Sequence, residues 1–317
     1  MRPPVTIVTG AAGFAGGHLL DRLAATHPVV AWYRPGGTRP AARSQGVTWQ
    51  AVDVTNRAAV EQAITTTKPG RIFHLAGAPS VETSWANAVP HLRINVRGTQ
   101  FLFDAVQRAG GPCRVLVVTS AQVYGMSDDP IAENGALLPQ SPYGITKLAQ
   151  DRLALAAAEA DHLEVLVARP FNHIGPRQGP GFAVPGFARQ IARMELGLAT
   201  PVMKVGNLET RRDITDVRDV VDAYVRIMDD GKPGAAYNVC SGRAWRIRDL
   251  LGELLRLSTV PVTVEPDPAK FRPVDVPVVQ GDSSRLQIEL GWAPSTPVEQ
   301  TLLDTLNDWR ARARTEA

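Results

Sequence analysis

The chain has 317 residues, enough to bury a full core as one large or two modest domains. Its 44% hydrophobic and 21% charged content is ordinary for a soluble globular protein. The net charge of +3 is mild and dispersed, and no apolar run reaches the length of a membrane span, which argues against nucleic-acid and membrane partners.

Residues 5–9, 29–33, 71–75 and 114–119 are β-rich and apolar on both faces, as strands of a buried parallel sheet must be. Amphipathic stretches at 18–25, 58–65 and 91–109 lie between them. This alternation predicts an α/β fold, a doubly wound parallel sheet of Rossmann type with helices on both faces.

Directly after the first run comes Gly10-Ala11-Ala12-Gly13-Phe14-Ala15-Gly16. Glycines here let the backbone turn sharply and approach a pyrophosphate, which then rests on a helix N-terminus. A glycine-rich turn without a ligand is the plain alternative. The order strand, loop, helix favours a dinucleotide. An acid at the end of the second strand would select NAD, but that strand ends Trp32-Tyr33-Arg34, with no acid until Asp53. The Arg34 guanidinium suits a 2′-phosphate, so NADP(H) is expected, against the bland reading of a solvated arginine. Asp53 and Val54 are placed to border the adenine.

Cys113 and Cys240, the only cysteines, lie far apart in apolar contexts and read as reduced buried thiols of a cytoplasmic protein. With no basic-then-apolar leader before Val5, secretion is not expected. The histidines and cysteines show no metal-ligand spacing, so no metal is expected.

Ser141-Pro142-Tyr143-Gly144-Ile145-Thr146-Lys147 reads as a helix start, with Ser141 as N-cap and Pro142 as first helical residue. Four residues apart, Tyr143 and Lys147 share one helix face. A nearby ammonium favours phenolate and would lower the tyrosine pKa, making the phenol a usable acid and base. A further strand is predicted at 164–169. Beyond Pro170, the Gly/Pro-rich residues 175–186 predict an ordered loop, 188–196 and 246–257 helices, and 236–239 a strand returning to the main sheet. Short strands and turns are expected over 260–297, then a closing helix at 298–312. The boundaries follow: 1–170 with 214–241 for a cofactor domain, 171–213 with 242–317 for a smaller substrate domain.

Longer matches accompany these features: His74-Leu75-Ala76, Asn95-Val96-x-Gly98-Thr99, Ser120-x-x-Val123-Tyr124-Gly125, Arg169-Pro170-Phe171-Asn172-His173-Ile174-Gly175-Pro176, Gly206-Asn207-Leu208-Glu209 with Arg212-Asp213, and Tyr237-Asn238-Val239-Cys240-Ser241-Gly242. Together with the glycine loop and the tyrosine–lysine pair, they make the chain resemble the extended short-chain dehydrogenase/reductases that act on nucleotide-sugars. The second half resembles the GDP-mannose branch. The resemblance implies that Tyr143 is the acid/base, that Lys147 holds the nicotinamide ribose, and that Ser120 hydrogen-bonds the reacting oxygen. It implies cofactor contacts at Gly10, Gly13, Phe14, Ala15, Leu75, Ala76, Gly77, Pro170 and His173. On the substrate side Arg212 and Arg272 match phosphate-contact positions, Asn172 is expected at the diphosphate or sugar and Ser80 and Gln122 at the hexose, with Lys204 as a longer-range charge. A local ion-pair network among Arg212, Asp213, Asp216, Arg218 and Asp219 is the competing structural reading.

Gln122 departs from the resemblance. The related 4,6-dehydratases carry a glutamate there, and a carboxamide does not exchange protons at neutral pH. The expectation is therefore NADPH-dependent reduction of the C4 ketone of a 4-keto-6-deoxy nucleotide-hexose, with GDP as the expected nucleotide; the rivals are a 4-epimerase and a non-catalytic NADP sensor. The broad apolar faces of 91–109 and 143–159 correspond to the helices that pair relatives, so a homodimer is expected.

Overall fold

The computed structural model describes residues 4–37, 46–161, 163–271 and 276–316. Its strands are β1 (Thr6–Thr9), β2 (Val29–Tyr33), β3 (Val47–Ala51), β4 (Arg71–His74), β5 (Arg114–Val118), β6 (Glu164–Pro170), β7 (Asn172–Ile174), β8 (Val202–Val205), β9 (Arg211–Asp216), β10 (Ala236–Val239), β11 (Ala244–Arg246), β12 (Thr263–Pro266) and β13 (Val278–Val279). Its helices are α1 (Phe14–Leu23), α2 (Arg57–Thr67), α3 (Val81–Ala86), α4 (Val89–His91), α5 (Gly98–Ala109), α6 (Pro142–Ala160), α7 (Ala183–Glu195), α8 (Val217–Asp230), α9 (Ile247–Arg256), α10 (Ser284–Leu290) and α11 (Val298–Glu316).

Among the described residues a seven-stranded sheet runs β10-β6-β5-β4-β1-β2-β3, every pairing parallel. Successive residues of β1 serve opposite faces: Val8 joins a core with Leu19, Leu20 and Val220 from α1 and α8, while Ile7 joins one with Ile64, Leu102 and Ala154 from α2, α5 and α6. Strand order reverses between β1 and β4, so the crevice of a doubly wound sheet opens at their carboxyl ends. The outer edge of β10 is blunted by side chains. Glu133 accepts the Asn238 N–H at 2.8 Å, and Arg285 donates to the Ala236 carbonyl at 3.1 Å. A separate apolar core joins α7, α9 and α11 to β8 and β9.

The predicted strands of the main sheet are all present, but several helix expectations need correction. Helix α1 begins at Phe14, ahead of the expected stretch at 18–25; Gly16 lies in it, where a Cβ would stand 2.4 Å from the Gly10 carbonyl oxygen. Helix α7 begins at Ala183, not 188; Pro185 sits in its first turn, where a missing N–H costs little. Within 260–297, where short elements rather than long helices are expected, residues 284–290 form a seven-residue helix. The single helix expected over 91–109 is α4, then a wider π-helical turn, Leu92–Arg97, in which the Gly98 N–H reaches back to the Arg93 carbonyl, then α5.

Candidate active site

The glycine loop leaves β1 with Gly10 at a φ of 66°, and a Cβ there would stand 2.8 Å from the Ala76 nitrogen. Gly13 caps α1 with no side chain, and the first turn carries no acid. Its backbone N–H groups and positive dipole end are thus left for an anion, which fits the pyrophosphate expectation. Phe14 stacks flat against His173 of β7, centroids 5.8 Å apart and planes 7° from parallel. Arg34 is exposed just past β2, and Asp53 accepts both the N–H and the hydroxyl of Thr55 at 2.8 Å.

Ser120 follows β5 and caps a short 3-10 turn, Ala121–Val123, accepting the Gln122 N–H at 3.1 Å. Ser141 caps α6 as expected, accepting the Gly144 N–H at 3.0 Å. A Cβ on Gly144 would fall 2.5 Å from the Gln122 carbonyl oxygen, so this glycine lets the helix start press against the Ser120 turn. Tyr143 is 8% exposed and its phenol hydrogen-bonds Ser120. Its N–H donates to Ser84 Oγ at 3.0 Å, and the ring meets His91 edge-on at 6.4 Å. One turn on, Lys147 Nζ donates to the Val118 carbonyl at 3.0 Å and to Gln150 Oε1 at 2.8 Å.

Burial pushes the Tyr143 phenol up to about 12, with the Ser120 hydrogen bond pulling the other way. Burial also pushes the Lys147 ammonium down to about 7. The expected depression of the phenol by Lys147 is not found. The ammonium is directed onto neutral oxygens of Val118 and Gln150, and desolvation outweighs charge at both groups. At neutral pH Tyr143 is therefore a proton donor.

Residues that reading the sequence did not single out complete the frame. Asn95, carried by the π-helical turn, accepts the Ala78 N–H and donates to Thr146 Oγ1, both at 2.9 Å, tying the loop after β4 to α6. Asp151, fully buried, takes both arms of the Arg169 guanidinium at 2.8 Å, clamping α6 to β6. Asn95, His74 and Arg169 do stand within the family-like motifs; Ser84, Gln150 and Asp151 carry no local signal.

On the expected substrate side, Asn172 is exposed at the start of β7 and Gln122 is half-buried beside Ser120. Ser80 caps α3, accepting the Thr83 N–H at 3.1 Å. Arg212 donates to the Arg211 and Val276 carbonyls. The competing ion-pair network forms only in part: Asp216 and Asp304 bind Arg218, whereas Asp213 caps the N–H groups of Ser241, Gly242 and Gly281 and Asp219 those of Ser295 and Thr296. Lys204, the longer-range charge expected on the substrate side, is exposed on β8 and paired with the exposed Glu265, which holds its pKa above the ordinary lysine value. Arg272 lies outside the described residues.

A family model described as GDP-mannose 4,6 dehydratase matches residues 7–305. The chain is 36% identical over 316 residues to the GDP-6-deoxy-D-mannose reductase of Pseudomonas aeruginosa, covering 98% of each chain. Among solved structures it resembles RMD from Pseudomonas aeruginosa complexed with NADPH, with TM-score 0.86 and 34% identity over 98% of this chain and 100% of that one. The UDP-glucose 4-epimerase of Thermotoga maritima, with UDP-glucose, also matches, with TM-score 0.86 and 25% identity over 97% of this chain and 99% of that one.

Proposed function

The chain belongs to the GDP-mannose 4,6-dehydratase family, and on that premise we propose that it is an NADPH-dependent reductase of the C4 ketone of a 4-keto-6-deoxy nucleotide-hexose, GDP-4-keto-6-deoxymannose giving GDP-rhamnose. The observation that carries this reading is the buried Tyr143 set against the Ser120 turn, with Lys147 one helical turn on and a Gln122 unable to move protons in that turn. The NADPH-bound structural relative supports the cofactor.

Gly10, Gly13, Phe14 and Ala15 hold the pyrophosphate end of the cofactor, Arg34 its 2′-phosphate, Asp53 and Val54 its adenine. Leu75, Ala76, Gly77, Pro170, His173 and Lys147 line the nicotinamide half. Bound NADPH supplies the hydride that C4 receives. Ser120 donates a hydrogen bond to the ketone oxygen and Tyr143 delivers its proton there as negative charge develops. The ammonium form of Lys147 steadies the phenolate left behind. Asn172, Arg212 and Arg272 take the diphosphate and sugar, with Ser80 and Gln122 at the hexose.

In this reading residues 1–170 with 214–241 carry the cofactor, and 171–213 with 242–317 the nucleotide-sugar; the separate core of α7, α9 and α11 supports that division. The protein works in the cytoplasm, in keeping with two unpaired cysteines and no described helix long and apolar enough to cross a membrane. It acts as a homodimer. Trp85, Val89, Leu92 and Ile145 stay exposed on α3, α4, the π-helical turn and α6, which pack on one another, whereas Leu148, Leu153 and Leu155 are half-buried against the core.

Incubation with GDP-4-keto-6-deoxymannose and NADPH tests the reaction. One NADPH oxidised per sugar reduced is expected. Interconversion of C4 epimers without loss of NADPH absorbance would instead establish the epimerase.

A further inference from the structure

Lys147 is held through a chain of buried neutral groups that runs back to β1. Gln150 Oε1 accepts from Lys147 Nζ at 2.8 Å, and Gln150 Nε2 donates to Thr99 Oγ1 at 2.9 Å. The Thr99 hydroxyl donates to the Asn95 carbonyl at 2.7 Å, so it can only accept from His74 Nε2 at 3.0 Å. His74 Nδ1 is then the acceptor for the Thr9 hydroxyl at 2.8 Å, and Thr9 Oγ1 accepts the Ala76 N–H at 3.0 Å. Only one arrangement of protons satisfies every member, and it fixes both the His74 tautomer and the orientation of the Gln150 amide. Thr9, His74, Thr99 and Gln150 are each fully buried.

We propose that Gln150 is a positioning residue of the reaction: clamped by Thr99 and His74, it holds the Lys147 amine on a neutral oxygen where a carboxylate would bind it as a permanent ion pair. This inference rests on the reductase reading. The groups around Lys147 leave the task to Gln150. Across the sheet His74 is kept uncharged by burial, and Lys147 itself disfavours its protonation. On α6, Tyr143 stays protonated, and Asp151 is closed off by Arg169 and Thr119. From α8, the buried Tyr224 faces Tyr143 and is likewise held protonated by burial. Gly77 approaches from the loop after β4 and has no side chain to contribute; a Cβ there would lie 3.4 Å from Nζ. A neutral acceptor stabilises the ammonium less than a carboxylate does, so Lys147 can shed its proton near neutral pH and regain it when negative charge reaches the site.

The chain has five lysines, Lys68, Lys147, Lys204, Lys232 and Lys270, which makes side-chain NMR of ε-13C-lysine-labelled enzyme a direct test without cofactor or substrate. Gln150→Glu is expected to raise the Lys147 titration midpoint by about one unit or more, and Gln150→Met to lower it, with the other four lysines unmoved. Thr99→Val, which releases the Gln150 amide, should shift it less, and serves if Gln150→Met does not fold. In the reductase assay the high-pH limb of kcat/KM should move the same way. Lys147 midpoints within about 0.3 unit of the parent in the folded variants overturn the proposal. A moved midpoint that the kcat/KM limb does not follow leaves the clamp standing and removes Lys147 from the reaction, which sinks the reductase mechanism instead.

Discussion

The elements carrying Ser120, Tyr143 and Lys147 and those carrying Asn172 and Lys204 treat polar groups in opposite ways. Around α6 the polar atoms are buried and answered by one another: Lys147 by Gln150, Asp151 by Arg169, Asn95 by Ala78 and Thr146. On β7, β8 and the start of β9 the groups stand in water, and the ion pair of Lys204 with Glu265 is exposed on both sides. The first arrangement fixes atoms and shifts pKa values, because desolvation makes every unmet bond costly. The second leaves charge in water, fixes little, and is weakened by salt. The proposed function places chemistry on the rigid side and recognition on the open one.

Substitutions on the two sides should differ in kind as well as size. Tyr143→Phe removes the only proton donor assigned to the ketone oxygen, so kcat should fall by roughly 10²–10⁴-fold while fluorescence-monitored NADPH binding persists; full turnover in that variant would revive a non-catalytic role. Asp151→Ala strands the Arg169 charge at 3% side-chain exposure and should lower stability by about 3–5 kcal/mol in urea unfolding. A loss no larger than a surface pair gives would mean the α6–β6 clamp is hydrated.

His74 predicts acid sensitivity. Its folded pKa is depressed from 6.5 to about 3, so between those values the unfolded chain holds a proton that the folded chain does not. Stability is therefore unaffected above 6.5 and drains as pH falls, by on the order of 2 kcal/mol at pH 5 from this group alone. A His74→Gln variant, less stable at pH 7, should show a shallower decline; equal slopes would place the acid sensitivity elsewhere. The smallest effects belong to the open groups. Arg212→Ala should raise the KM for nucleotide-sugar and Arg34→Ala should erase a preference for NADPH over NADH, each by roughly tenfold and with little change in kcat. A large fall in kcat from either would break the division between the two sides.

How much was legible in advance follows the range of each interaction. The glycine loop, the Ser141 cap and the Tyr143–Lys147 pair are made by neighbours in the chain, and each stands where their spacing put it. The π-helical turn was illegible, because what coincides with it is Asn95 reaching Ala78 and Thr146, the latter 51 residues away. Gln150 and Asp151 looked like ordinary helix positions until Thr99 and Arg169 were brought against them. Glu265 beside Lys204 is likewise a distant partner, set there by the pairing of β12 with β8.

By itself the sequence determined the alternation of strands and helices, the phosphate-loop geometry, and the placing of a phenol and an amine one helical turn apart. Those follow from local periodicity, glycine freedom and capping. Tertiary structure decided the protonation states. Whether Tyr143 is acid or phenolate and whether Lys147 is charged depend on burial and on partners from β4, β5 and the Ser120 turn, which no local pattern records.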